Sequence, residues 1–261
     1  VIKQIERYAP EVESNEKGFD IKLQNGILRN GKFIEIDSSE FTPYYIDIAY
    51  NQDVEPVQEV DNYLTHLTEG DADYRKLIME TLAHTLITSA DFKRQLARFS
   101  IFIGAGGEGK GTMLTIIRHI LGRENCSSLS IKDMAKESYF TTMQGKLVNL
   151  GDDIEDEAIN NEQMKNLKNI STCDFVATRQ LYKQSKDVVM TASLIFTSNH
   201  LLRSFEKGES FKRRVSWLPM FTKVEKKDPK FIEKLSTPEA LEYWMKLIVD
   251  AYYRLHETHS F

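Results

Sequence analysis

Cysteine is scarce: the 261-residue chain carries two, Cys126 and Cys173. Two isolated thiols build neither a disulfide framework nor a zinc site, so both are expected to be reduced. Six histidines are scattered without metal-ligand spacing. No run approaches the roughly 20 apolar residues of a membrane span, and Val1-Ile2-Lys3-Gln4 does not open a signal peptide. A cytoplasmic setting with no membrane partner is expected. An excess of positive charge is missing too. The net charge of −5 argues against a broadly basic surface, so any nucleic acid has to be met by a local basic feature. Internal repeats and low-complexity tracts are also lacking. What remains is ordinary for a globular protein: 41% apolar and 28% charged residues, enough for one sizeable core and a smaller appended unit.

Hydrophobic period changes along the chain. Residues 1–55 hold short alternating runs, with Asn25-Gly26 and Asn30-Gly31 offering the positive φ that hairpin turns require. A small β-rich unit is expected there. Over 56–95, Val60, Tyr63, Leu64 and Leu67, then Leu77, Met79, Leu82 and Leu86, recur at helical spacing around an acidic break at Glu69 to Asp73. Over 96–225, apolar strand-like runs alternate with helical patterns, and 226–261 reads as closing helices. The third region predicts an α/β fold, a central parallel sheet with helices on both faces.

The sharpest local signal lies in that region. A strand-like run, Ser100-Ile101-Phe102-Ile103, breaks into Gly104-Ala105-Gly106-Gly107-Glu108-Gly109-Lys110-Gly111-Thr112 just ahead of a helical pattern. This reads as a phosphate-binding loop rather than a glycine-rich turn with a chance lysine. Glycines let backbone N–H groups close around phosphate oxygens, Lys110 reaches the β- and γ-phosphates, and the helix points its positive end at them. The expected ligand is a nucleoside triphosphate with Mg²⁺. The usual hydroxyl after the lysine is replaced by Gly111, so Thr112 is the first hydroxyl available to the metal.

Further signals follow in order. Lys146 to Ile154 is a mostly apolar strand ending in Asp152-Asp153, placed to hold Mg²⁺ and to polarise an attacking water, although paired aspartates also make plain surface turns. Glu155, Asp156 and Glu157 read as a solvated helix start. Ser193 to Ser198 is another buried-looking strand, capped by Asn199, either a turn former or an amide reaching the γ-phosphate and the water. Between these strands, Asp174 to Met190 reads as two strands around a tip, either a solvated hairpin with no partner or, with Arg179, Tyr182, Lys183 and Lys186, a projection suited to the backbone and bases of single-stranded DNA. Arg213-Arg214 then enters an apolar strand, where arginine serves either as a surface ion pair or as a transition-state finger for a neighbouring subunit.

Taken in this order, the motifs resemble superfamily 3 helicases, in particular the helicase module of phage and plasmid primase-helicases. Upstream, Leu23 to Leu28, Pro43 to Asp47 and the helical stretch Leu77 to Ile87 look like the domain preceding the ATPase in those proteins. The resemblance implies an AAA+-like ATPase, ring-forming and usually hexameric, that pulls single-stranded DNA through its centre inside a bacterial host. It implies Lys110 and Thr112 on phosphate and Mg²⁺, Asp152 and Asp153 as the metal and water-activating pair, and Asn199 as sensor. Lys183 or Lys186 would line the pore, and Arg213 or Arg214 would be the finger. Two other readings stand beside it: an initiator or loader that uses ATP to assemble on DNA, and a nucleoside monophosphate kinase, which also carries Gly-Lys-Gly-Thr.

Overall fold

The computed structural model describes residues 18–35, 42–154, 159–179, 184–201, 209–224 and 228–261, apart from the side chains of Asp153, Ile154, Glu209 and Ser210. The first elements form a small sheet. Strands β1 (Ile21–Leu23), β2 (Gly26–Arg29) and β3 (Lys32–Ile34) make an antiparallel meander, and β4 (Tyr44–Tyr45) joins β1 in parallel. The second turn is the expected one: Asn30 and Gly31 take φ of 47° and 76°, the primed geometry that matches strand twist. The first is shifted by one residue. Leu23 pairs with Gly26, so Gln24 and Asn25 make the turn and Gly26 is in the strand. The Asn25 amide is held by the Tyr50 backbone at 2.7 and 2.9 Å, and a Cβ on Gly26 would come within 2.5 Å of Phe33.

Three helices follow, α1 (Gln58–Thr68), α2 (Ala72–Ala83) and α3 (Ala90–Leu96). The acidic break works as anticipated: Glu69 closes α1 in a left-handed conformation at φ 52°, and Asp71 caps α2 by accepting from the Tyr74 N–H. Val60, Tyr63, Leu64 and Leu67 are all buried.

The rest of the chain supplies β5 (Phe99–Ile103), α4 (Lys110–Leu121), β6 (Cys126–Ser127), β7 (Val148–Ile154), α5 (Asn161–Ser171), the hairpin β8 (Phe175–Thr178) and β9 (Lys186–Val189), β10 (Ser193–Ser198), α6 (Glu209–Lys212), β11 (Val215–Pro219), α7 (Phe231–Lys234) and α8 (Pro238–Thr258). Five of these strands form a sheet in the order β11-β5-β10-β7-β6, parallel at every pairing. Successive strand residues point to opposite faces, and each face has its own core. Phe102, Val148, Leu150 and Ile195 join α4, α1, α2 and α8 in one cluster that also takes in Ile21, Leu23 and Leu28 of the small sheet. Phe99, Ile101, Leu194 and Phe196 pack on the other face with Met134, Phe140, Met164 and Leu167. Burial on both faces explains why β10 is buried at every residue. Among the described residues, no helix is long and apolar enough to cross a membrane.

Candidate nucleotide-binding site

Strand β5 ends at Ile103 and α4 begins at Lys110, so Gly104 to Gly109 bridge the carboxyl end of an inner strand and a helix N-terminus. From β5 the chain crosses to β6 at the far edge and returns past β7 and β10, and β11 then lies on the other side of β5. That reversal opens a crevice at the strands' carboxyl ends, where open α/β sheets bind ligands. Gly106, Gly107 and Gly109 adopt φ of 113°, 95° and 102°, a region that disfavours side chains and turns successive N–H groups toward one point. No side chain caps α4 at Gly109, so its terminal N–H groups suit an anion.

The loop is tied down from several directions. Gly104 N–H donates to the Ser198 carbonyl of β10 at 3.1 Å, Met220 N–H to Ile103 at 2.7 Å, and Val224 N–H to Gly107 at 3.1 Å. From the upstream helices, the buried Tyr63 hydroxyl donates to the Gly109 carbonyl at 3.1 Å. Burial pushes that phenol's pKa up, so it stays a donor.

Lys110 is buried and points back at its own loop, donating to the Gly104 carbonyl at 2.6 Å and to Glu108 Oε2 at 3.2 Å. The same Oε2 accepts the Gly106 N–H at 2.9 Å. Glu108, itself 2% exposed, therefore places a carboxylate between an ammonium and a loop N–H, two donors that a phosphate would also seek. Its burial raises the carboxyl pKa, but bonds from its own backbone N–H, Lys110 and Gly106 outweigh this and hold it below the ordinary carboxylate value. Close packing also fixes Gly104, where a Cβ would stand 2.9 Å from both Glu108 Oε2 and the Met220 carbonyl.

A cavity of about 920 Å³ opens over the loop, lined by Gly106, Gly107, Gly109, Lys110, Gly111 and Thr112 and by Asp152, Thr197 and Asn199 from the ends of β7 and β10. The structure thus gathers most of the predicted nucleotide residues around one space. Asp152 Oδ1 accepts from Thr197 Oγ1 at 2.6 Å, which fixes the carboxylate's orientation and gives the buried Thr197 a role that its apolar strand context concealed. Asp153 lies in β7, its side chain outside the described part, and Glu155, Asp156 and Glu157 lie outside the described residues. Thr112 lies beside Gly111 on the cavity wall, so a hydroxyl is available one residue later than the usual pattern. A Mg²⁺ ion fits this donor set, one carboxylate and one hydroxyl beside phosphates, because Mg²⁺ keeps several waters and needs no all-protein cage.

The opposite wall escaped the sequence reading: Asn62, Tyr63 and His66 of α1, then Thr222, Lys223 and Val224, and beyond them Asp228, Pro229, Phe231 and Ile232. Helical periodicity had accounted for Tyr63 as core, and no local pattern marked the other residues.

Hairpin β8–β9 forms as expected, with Thr178 paired to Lys186. Arg179 and Lys186 are exposed near its tip, while Tyr182 and Lys183 lie outside the described residues. A neighbouring 3₁₀ turn adds Lys136, whose ammonium sits 4.8 Å from the Tyr139 ring. Arg213 and Arg214 are elsewhere. They precede β11, with the Arg214 carbonyl accepting from Phe99 N–H, at the amino ends of the strands and so at the opposite end of the sheet from the glycine loop. There they line a second cavity, of about 410 Å³, with Arg94 and Arg98.

The sequence profile of a family of unknown function, DUF5906, matches residues 102–214, a stretch that contains the loop, the Asp152-Asp153 strand, the hairpin and Asn199. No curated protein matches the chain. Three solved apo structures of the NrS-1 C-terminal region share the fold. One superimposes with a TM-score of 0.58 at 15% identity, covering 90% of this chain and 67% of that one. A second gives 0.56 at 16%, over 79% of this chain and 50% of that one. The third gives 0.58 at 18%, over 92% and 71%.

Proposed function

We propose that this chain is the ATP-driven motor of a phage or mobile-element replication protein, a helicase module that assembles as a ring and moves on single-stranded DNA. The observation that carries the reading is the convergence of the glycine loop, Lys110, Asp152 and Asn199 on one cavity at the carboxyl ends of a parallel sheet. The motif order and the fold shared with the NrS-1 C-terminal region support it.

In this mechanism the loop N–H groups and the amino end of α4 hold the β- and γ-phosphates, and Lys110 leaves Glu108 to neutralise the charge that develops between them. Thr112 and Asp152 hold Mg²⁺, which when bound supplies Lewis-acid polarisation of the phosphoryl oxygens. Asp153 orients the attacking water and takes its proton, and Asn199 senses the γ-phosphate. Arg179, Tyr182, Lys183 and Lys186 carry single-stranded DNA, and Arg213 or Arg214 completes a neighbour's site.

The test is ATP hydrolysis with and without single-stranded DNA. Stimulation by DNA is expected, with activity abolished by Lys110→Ala, while Asp153→Asn binds ATP and does not turn it over. Hydrolysis that survives Lys110→Ala would overturn the reading. A phosphate acceptor requirement would indicate a kinase, and slow turnover with tight DNA assembly an initiator.

A further inference from the structure

At the amino ends of the strands, the second cavity gathers positive charge that the chain's own nucleotide site does not use. Arg94 sits in the last turn of α3, Arg98 follows just beyond it, and Arg213 and Arg214 lead into β11. All four line about 410 Å³ of open space. No aspartate or glutamate shares that lining, although acidic residues outnumber lysine and arginine by 39 to 34 in the chain. Like charges gathered in one cavity repel, and the carboxylates nearby do little to offset them. Asp91 meets Arg94 at 2.6 Å, but as an exposed i,i+3 pair that an incoming anion can displace. The charge of Glu80 acts on Arg98, yet Glu80 is already approached by Lys76 at 3.6 Å and Arg254 at 3.5 Å. Arg98 is half-buried, with its guanidinium 4.4 Å from the centre of the Phe261 ring. A planar guanidinium presents paired N–H donors that match two phosphate oxygens, so this wall suits a phosphate group.

The cavity also abuts the root of the hairpin. Thr172, just ahead of β8, lines it, and Arg94 donates to the Cys173 carbonyl at 3.1 Å. The other leg is held from the same helix, since the buried Lys93 donates to the Thr191 carbonyl just past β9. With both legs fastened to α3, the exposed Arg179 stands roughly 13 Å up the strand from the root, the length of β8 at about 3.3 Å per residue. We propose that the arginine cavity is a second contact for single-stranded DNA, taking a backbone phosphate of the strand whose neighbouring nucleotides lie along the hairpin. A grip of this kind positions the strand without reading its sequence. The proposal rests on the reading of the hairpin as DNA-binding, and it draws on Arg94 and Arg98, which that reading leaves without a role. An inorganic polyphosphate offers the same chemistry, so the experiment includes one.

The experiment is fluorescence anisotropy of a labelled oligothymidine of about 16 nucleotides with the full chain, in the absence of nucleotide, over a series of salt concentrations. Arg94→Gln with Arg98→Gln should weaken binding by about tenfold or more, the effect of one lost charge-assisted contact. The salt slope should fall by about 0.7, one phosphate's share for a single strand. Lys32→Gln with Lys165→Gln removes the same charge from two exposed positions that line neither cavity, and should leave the slope as it is. Because Arg94 is exposed, Arg94→Gln alone carries the test if the double variant does not fold. An arginine variant that behaves like the lysine control, while Lys183→Ala with Lys186→Ala weakens binding, would overturn the second contact and leave the hairpin standing. A loss accompanied by a change of mass in solution would make the arginines an assembly surface and overturn it too. Titrating inorganic tripolyphosphate into Lys110→Ala protein separates the sources of phosphate. Binding there that the arginine variant abolishes, with oligothymidine affinity unchanged, would assign the cavity to a free polyphosphate and overturn the DNA contact. No binding of oligothymidine by the unaltered chain would sink the hairpin reading and this one together.

Discussion

Replacing Glu108 by Gln should tighten phosphate binding. In the structure the Glu108 carboxylate takes the Gly106 N–H at 2.9 Å and Lys110 Nζ at 3.2 Å, and the side chains of the pair are only 2% and 10% exposed. This is a buried ion pair rather than a surface one. Hydrogen bonds to charged groups contribute about 1.5–3 kcal/mol each. An incoming phosphate recovers both donors, but Glu108 is left with its own backbone N–H, at a net penalty of about one such bond, ~2 kcal/mol. Glutamine keeps the volume and an acceptor while removing the charge that competes. Tripolyphosphate affinity should therefore rise about 30-fold, the equivalent of ~2 kcal/mol. The same substitution leaves the buried Lys110 ammonium with the Gly104 carbonyl as its remaining strong partner, so the ligand-free protein should melt roughly 4–8 °C lower. Titration calorimetry and thermal unfolding on one preparation read both effects. A lower melting temperature with unchanged or weaker phosphate affinity would refute the competition, since Glu108 would then brace the loop without occupying the phosphate's place.

Three further outcomes are expected. Arg213→Ala or Arg214→Ala, whichever is the finger, should lower ATP turnover by a factor on the order of 10³ with affinity kept, and mixing it with Lys110→Ala subunits should restore part of the activity. Mixed rings as inactive as their parents would confine the arginine to its own subunit. Lys183→Ala with Lys186→Ala should weaken single-strand binding and flatten its dependence on salt by about one counterion per lost phosphate contact, and an unchanged slope would move the DNA path elsewhere. His256, stacked on Phe92 at 4.2 Å, has its pKa lowered to about 4 by burial and then by the charge of His259. The unfolded chain therefore binds this proton first, so its contribution is complete above about pH 6.5 and is lost as pH falls toward 4. His256→Phe should shallow the fall in urea midpoint across that window, and an unchanged fall would assign it to other groups.

The glycine loop between a strand and a helix was legible because glycines, lysine and an apolar strand each announce themselves locally, and strand–helix alternation foretold the parallel sheet. Its strand order was not legible, since order depends on which strands meet in space. Tyr63 illustrates the limit. Helical spacing marked it correctly as core, yet its hydroxyl on Gly109 is a contact across 46 residues with no local signature. Glu108 read as one more ATP-binding residue of the loop, because sequence does not reveal that the loop curls its carboxylate onto Lys110. Gly26 was expected in a turn on the strength of Asn-Gly, but the close approach of Phe33 and the hold of Tyr50 on Asn25 outweighed the turn preference. Asn199 and Asp152 were singled out because an apolar run leads into each, whereas Thr197, which donates to Asp152, was concealed within one.

The small sheet and the last helix meet across nearly the whole chain. Gly31 N–H donates to the Tyr252 hydroxyl at 3.0 Å, a contact 221 residues apart in sequence, and Leu23 and Leu28 share one apolar cluster with Tyr252 and Leu255. A ribosome adding roughly 5–20 residues per second needs roughly 10–45 s to travel from one partner to the other. During that interval the hairpin between β2 and β3 has its turn but not its lid, and its apolar face is open to water. Short isolated strands of this kind are at best marginally stable and invite unwanted pairing. Newly made chains should therefore depend on a holding chaperone until α8 emerges, and a nascent chain arrested before Tyr252 should be far more sensitive to protease around β1 to β3 than the released protein.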